Sequence, residues 1–295
     1  YALVGVMVGA LLAGSIGDIV GRRKVMLIAY AWFSIGMGIT ALTTTTTMFG
    51  WMRFFTGLSE PAHAINFDAA FISVNRLRKR KSPMQINDWI MDSGAFTEIS
   101  THGKYRHDVQ TYAAEVRRWA TNGSGRLLAA VAQDYMCEPF IVAKTGLSVA
   151  DHQRLTIERY DELVRCDVGG TYIMPVLQGY DPADYADHVR QYGDRLTAGA
   201  WVGVGSVCKR NGDPRAISAV LMAILSVRPD LRLHGFGLKT TALGNPLVRS
   251  MLHTADSMAW SYSARIQGRN QNDWREAKAW TRRINERPYQ LVFDL

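Results

Sequence analysis

Polar residues interrupt the apolar runs of this 295-residue chain at a series of points, and three of those points carry an aspartate. Asp92 stands in Met91-Asp92-Ser93-Gly94-Ala95-Phe96, Asp134 in Gln133-Asp134-Tyr135-Met136-Cys137-Glu138-Pro139, and Asp256 in Ala255-Asp256-Ser257. Gln178-Gly179-Tyr180, Gly203-Val204-Gly205 and His234 occupy equivalent places elsewhere. Carboxylates crowded together raise one another's pKa and cost stability, so they ordinarily serve acid–base or nucleophilic chemistry, or hold a cation. Any single aspartate is better explained as a helix cap or a turn acceptor. Three of them, with a glutamine and glycine turns in matching positions, point to a site.

Such a site needs a frame that brings distant segments to one place. From Met52 onward, short apolar runs alternate with amphipathic stretches. The candidate strands are Met52–Gly57, Ala70–Val74, Trp89–Gly94, Leu127–Gln133, Tyr172–Leu177, Ala200–Val204, Leu231–Phe236 and Ser257–Trp260. Most are rich in Val, Ile, Leu, Phe and Met, as buried parallel strands are. Helices are expected over Val109–Thr121, Val149–Cys166, Pro182–Gln191, Pro214–Val227 and Asp273–Asn285, the first with Ala113, Val116 and Ala120 on one face. Asp181-Pro182 and Asp213-Pro214 each pair an N-cap with a proline in the first turn. Eight strands with intervening helices predict an α/β fold of the (β/α)8 TIM-barrel type, with an open doubly wound sheet as the alternative. In such a barrel the chemistry lies where strands end and loops begin.

Taken in order, these segments resemble the tRNA-guanine transglycosylase superfamily, and within it the DNA-acting branch, the deoxypurine-in-DNA protein A family, which inserts 7-deazaguanines. The resemblance runs from about Met52 to Asn285. Asp92-Ser93-Gly94-Ala95-Phe96 is similar to the family's DSGGF element, with Ala95 in place of its second glycine. The resemblance implies that Asp92 is a general acid/base and Asp256 the nucleophile, with Ser263-Ala264-Arg265 where an arginine segment follows. It implies purine contacts from Asp134 and Gln178-Gly179, with Ser93, Gly94, Phe96 and the Gly203–Gly205 loop beside the base and His234 near it. The implied reaction replaces guanine in DNA by a 7-deazaguanine through a covalent aspartyl-glycosyl intermediate. The base must leave its stack to be reached. The same barrel acting on tRNA guanine is an alternative. The tRNA enzymes carry a CxCxxC…H zinc site, and nothing like it occurs here, so neither metal nor cofactor is expected.

The expected partners are therefore DNA and a 7-deazaguanine base, with an accessory protein as a further candidate. Lys and Arg number 34 against 26 Asp and Glu, a net charge of +8 that favours an anionic partner. Arg78 and Arg80 in a basic cluster, and Arg265 and Arg269 near the last strand, are the candidate phosphate contacts; the bland alternative is a solvated surface. Three scattered cysteines, Cys137, Cys166 and Cys208, exclude a disulfide framework and suit a reducing compartment. A cytoplasmic barrel is expected.

The first 51 residues differ in kind. They hold three of the 34 basic and one of the 26 acidic side chains, leaving 31 against 25 for the rest. Two nearly uncharged runs, 1–17 and 25–42, flank Asp18-Ile19-Val20-Gly21-Arg22-Arg23-Lys24 and come close to membrane-spanning length. A mean hydropathy of −0.08 averages this piece with a polar one. Gly14, Asp18, Gly21, Arg22, Arg23 and Lys24 resemble the loop between the second and third helices of major facilitator transporters, and the resemblance extends to about Leu58. The expected organisation is a hydrophobic helical hairpin over 1–51, with candidate membrane association, and a transglycosylase-like barrel over 52–295. The rival function is that of a membrane transport protein fragment. Since the basic turn would face the cytoplasm, the hairpin would place the remainder outside the cell. That conflict suggests two pieces not selected together. The strand count, which reaches eight only with Met52–Gly57, makes Met52 the expected natural start, and a chain beginning at Tyr1 reads as a fragment at its N-terminus.

Overall fold

The computed structural model describes residues 65–210 and 213–286. The chain divides into two compact units, Tyr1–Leu58 and Ser59–Leu295. The expected strand Met52–Gly57 and the hairpin over 1–51 lie outside the described residues. Among the described residues no helix is long and apolar enough to cross a membrane.

The second unit is α/β, and among the described residues its strand pairings are parallel. Strands β1 (Ala69–Ser73), β2 (Asp88–Asp92), β3 (Arg126–Val131) and β4 (Tyr172–Met174) form one sheet in that order. Strands β5 (Val176–Leu177), β6 (Trp201–Val204), β7 (Arg232–Gly235) and β8 (Leu252–Ala255) form the other. Only Pro175 separates β4 from β5. A proline has no N–H to give to a ladder, so the expected run Tyr172–Leu177 is interrupted there. The chain still serves both neighbours: Ala132 N–H donates to Met174 O (3.0 Å) and Gly203 N–H to Pro175 O (2.9 Å).

Side chains alternate across the strands with period two. Ile90, Ala129, Val131, Met174 and Val176 form one cluster, against which Phe71, Trp201 and Phe236 pack. Trp89, Met91, Ala130, Ala132 and Ile173, one residue out of phase, pack instead under the helices. Phe71 of β1 stacks on His234 of β7, with ring centroids 5.4 Å apart, so the first strand of one sheet meets the third of the other.

Four of the five expected helices begin at the expected residue, and the one expected from Asp273 begins at Trp274. α1 (Val74–Leu77) and α2 (Ala95–His102) precede α3 (Val109–Thr121), whose N-cap Asp108 accepts from Thr111 N–H at 2.7 Å. α3 buries Val109, Tyr112, Ala113, Val116 and Trp119; Ala120, expected on that face, is only half-buried. Burying one such large apolar side chain contributes about 2–3 kcal/mol. α4 (Pro139–Thr145) and α5 (Val149–Leu163) follow β3, and α6 (Pro182–Tyr192) follows β5. α7 (Pro214–Val227) starts from Asp213, which accepts from Arg215 and Ala216 N–H. α8 (Thr240–Leu243) and α9 (Pro246–Met251) lead into β8, and α10 (Ala259–Ile266) and α11 (Trp274–Asn285) close the described chain.

One expected strand is wrong. Ser257–Trp260 is not extended: α10 begins at Ala259, and β8 lies upstream at Leu252–Ala255. That strand, Leu-His-Thr-Ala, holds too few large apolar residues to stand out by hydropathy. The consequence for Asp256 is favourable. It follows the last strand, as Asp92 ends β2, rather than preceding it.

Candidate active site

Asp92 is the last residue of β2. The Ser73 hydroxyl, at the end of neighbouring β1, and the backbone N–H groups of Gly94 and Ser93 hydrogen-bond its carboxylate. Burial, reinforced by the charge of Asp256, outweighs them and pushes its pKa up to about 6. Gly94, at the N-cap of α2, is left-handed (φ 75°), and a Cβ there would run into the Asn75 side chain, so glycine suits this turn. Ser93 is buried beside it, whereas the Phe96 ring on α2 is 43% exposed.

Asp256 follows β8. Gly237 N–H donates to its Oδ1 at 3.0 Å, and His234 Nε2 lies 3.3 Å from the same oxygen. The other ring nitrogen, Nδ1, is 2.9 Å from Thr254 Oγ1, which itself accepts from Trp201 Nε1–H at 2.8 Å. A hydrogen from the Thr254 hydroxyl to Nδ1 leaves Nε2–H as the donor to Asp256. His234 is thus a buried support for this carboxylate, held by Phe71 on one face and Phe236 at its edge.

Asp134 and Gln178, beyond the ends of β3 and β5, are both buried, and Gln178 Nε2–H donates to Asp134 Oδ2. Burial raises the Asp134 pKa to about 7; the Gln178 hydrogen bond lowers it and the charges of Asp92 and Glu138 raise it further. Gln178 is fixed from several directions. Its backbone N–H donates to His188 Nδ1 (2.8 Å), and its carbonyl accepts from Gln153 Nε2 (2.8 Å). Burial pulls His188 down to about 3, so its ring is neutral and able to accept at Nδ1. Gly205, at the end of β6, is required because a Cβ would occupy the place of the Gln178 amide. Gly203 lies in β6 itself, and Gly179 follows Gln178 into the turn before α6.

Several neighbours escape a reading of the sequence. Ser206 has φ 53°, a left-handed conformation costly for a residue with a Cβ. Its hydroxyl accepts from Cys137 N–H (2.8 Å) and faces Gln178 Oε1 (2.7 Å) and Glu138 Oε2 (2.9 Å). Tyr105 donates to the Asp134 carbonyl (2.8 Å), and Arg159 from α5 donates to Gln133 Oε1 (2.8 Å) while stacking 4.4 Å above the Tyr105 ring. Ser73 and Ser206 follow the strand-end pattern and were findable from it; Arg159, mid-helix, carries no such mark.

The structure thus links Asp92, Asp134, Gln178, His234 and Asp256 electrostatically or by hydrogen bonds, with Gly205 packed against the Gln178 amide. The expected phosphate contacts are more scattered. Arg80 donates to the carbonyls of Ser82 and Pro83, and Arg269 is paired with Glu276. Arg78 caps α1 with a buried Nε that has no hydrogen-bond partner, and exposed Arg265 lies over the Tyr262 ring. Among the described residues no three His, Cys, Asp or Glu side chains form a group that could hold a metal.

Comparison with known proteins treats the two parts of the chain separately. A model of the sugar (and other) transporter family matches residues 1–60. A putative niacin/nicotinamide transporter of Bacillus subtilis (strain 168) is 42% identical over 55 residues, which are 19% of this chain and 14% of that transporter. The chain therefore spans only a small part of that relative's length. Residues 52–287 match a second model, that of deoxypurine in DNA protein A, which takes in every strand and every polar side chain of the site just described. By that match the chain belongs to the deoxypurine-in-DNA protein A family.

Proposed function

We propose that residues 52–295 exchange guanine in DNA for a 7-deazaguanine, the 7-cyano form being the expected donor. The observation that carries this reading is the pairing of two carboxylates of unlike environment: Asp256, held by donors to Oδ1, and Asp92, whose pKa is raised to about 6 partly by the charge of Asp256. Asp256 attacks C1′ of the target deoxyguanosine. The C1′–N9 bond breaks, its electron pair goes to N9, and protonated Asp92 supplies the proton as guanine leaves. Asp92, now a carboxylate, takes the N9 proton of the incoming base. That nitrogen attacks C1′, and the bond to Asp256 breaks with its electron pair returning to the carboxylate.

Asp134 and Gln178 match the purine's N1–H, exocyclic amine and O6 by donor and acceptor. The raised pKa of Asp134 means that a base hydrogen-bonding to its carboxylate also stabilises its charge. The same reading closes the two sheets into a (β/α)8 barrel. The Phe71–His234 stack and the shared run through Pro175 support that closure.

Incubating the full chain with guanine-labelled duplex DNA and 7-cyano-7-deazaguanine tests the assignment, with and without candidate accessory proteins. Release of label that requires the deazaguanine and disappears in Asp256→Ala supports it. Retention of label under every condition, or equal release by Asp256→Ala, rejects it. Faster release from tRNA than from DNA would move the substrate to RNA.

A further inference from the structure

Beside the base-reading pair lies a cleft that the chemistry above does not use. It is a cavity of about 440 Å³, bounded by Glu138, Phe140, Tyr180, Ser206, Lys209 and Arg210. It adjoins the site through Ser206, whose hydroxyl faces both Gln178 and Glu138.

Its cations are held over aromatic rings. The Arg210 guanidinium lies 4.5 Å above the Tyr180 ring, and the Lys209 ammonium lies 5.7 Å from the rings of both Phe96 and Phe140. Arg210 Nε and Nη2 are buried from solvent and have no hydrogen-bond partner. A guanidinium without a carboxylate partner favours a phosphate, which from the cleft meets the part of the half-buried Arg210 left accessible rather than these two shut-in nitrogens. The acid of the cleft, Glu138, is engaged with Ser206 instead. Phe96, Phe140 and Tyr180 are each more than 40% exposed, an unusual concentration of aromatic surface beside two cations. A charged groove with exposed rings suits single-stranded nucleic acid: cations follow the phosphates, and ring faces or edges take the bases.

We propose that this cleft binds the nucleotide next to the target guanine, with its phosphodiester on Arg210 and Lys209 and its base against Tyr180 and Phe140. The inference rests on the nucleic-acid reading of the neighbouring site. It gives that reading a grip on the strand that does not involve Arg78, Arg80, Arg265 or Arg269.

The test is binding of the full chain to a short single-stranded oligonucleotide containing one guanine, measured across a range of salt. Arg210→Gln and Lys209→Gln should each flatten the slope of log affinity against log salt by about 0.7, the value for one single-strand phosphate contact. Tyr180→Leu should weaken binding roughly tenfold through lost stacking. Methylphosphonate linkages, which remove one phosphate charge at a time, should weaken binding by the parent most at one position next to the guanine. At that position they should have no further effect on Arg210→Gln. Parental slopes in both glutamine variants overturn the proposal, as does a parent insensitive to every neutral linkage beside the guanine. The second result needs no variant, so misfolding cannot mask it. Guanine release dependent on Asp256 but with unchanged binding sinks only this cleft. Altered binding without any release sinks only the exchange reaction.

Discussion

Gln178 donates a side-chain N–H to the Asp134 carboxylate across 44 positions of sequence, joining the ends of β3 and β5 inside the protein. The bond lowers the pKa of Asp134, yet burial prevails and holds it near 7. A carboxylate is harder to bury there than the neutral amide of an asparagine would be, which suits the base-reading role proposed for Asp134.

Stability should therefore fall as pH rises from about 4 to about 7. In that window the folded chain keeps protons on Asp92 and Asp134 that the unfolded chain has released. Asp134→Asn keeps an acceptor for Gln178 and removes the titration. It should flatten the profile and be more stable than the parent at pH 8, by on the order of a few kcal/mol at most. Thermal melts of both proteins between pH 4 and 8 check this; a steeper profile in the variant would refute it.

Guanine release in a single turnover should depend on the acid form of Asp92. With a pKa of about 6, that form declines above pH 6, and the rate should fall toward tenfold per unit. Asp92→Asn should be slower by roughly 10²–10⁴-fold and lack this limb. Rapid-quench measurement of labelled guanine from pH 5 to 8 decides; the same limb in Asp92→Asn would assign it to another group.

Gly205→Ala should disturb recognition more than folding. The added methyl displaces the Gln178 amide from its place between Asp134 and Ser206. Base exchange should drop at least about tenfold, the cost of one misplaced hydrogen bond, since a 1.4 kcal/mol loss is a factor of ten. Competition between guanine and adenine bases at the exchange step, with a melting curve as the folding control, reads the effect.

Tyr185→Phe tests the support behind that glycine. The phenol, fully buried on α6, donates to Gly205 O at 2.8 Å. Its loss strands a buried carbonyl and should cost about 1–3 kcal/mol. Urea unfolding should show a lower midpoint with an unchanged slope.

The sequence by itself determined the parallel α/β rhythm, because short continuous apolar runs and capped amphipathic helices are local signals. α3 and α7 fall on their expected bounds. It also marked Asp92, Asp134, Gln178 and Asp256, since polar residues at the ends of buried strands stand out against their neighbours. It missed β8, whose short Leu-His-Thr-Ala run buries too little apolar surface to be visible, and it therefore placed Asp256 on the wrong side of a strand. Only the tertiary structure decided that His234 braces Asp256, that Ser206 adopts a left-handed turn between Gln178 and Glu138, and that Arg210 lies over Tyr180. Those relations join residues far apart in the chain, and the interactions that fix them exist only once burial has brought their partners together.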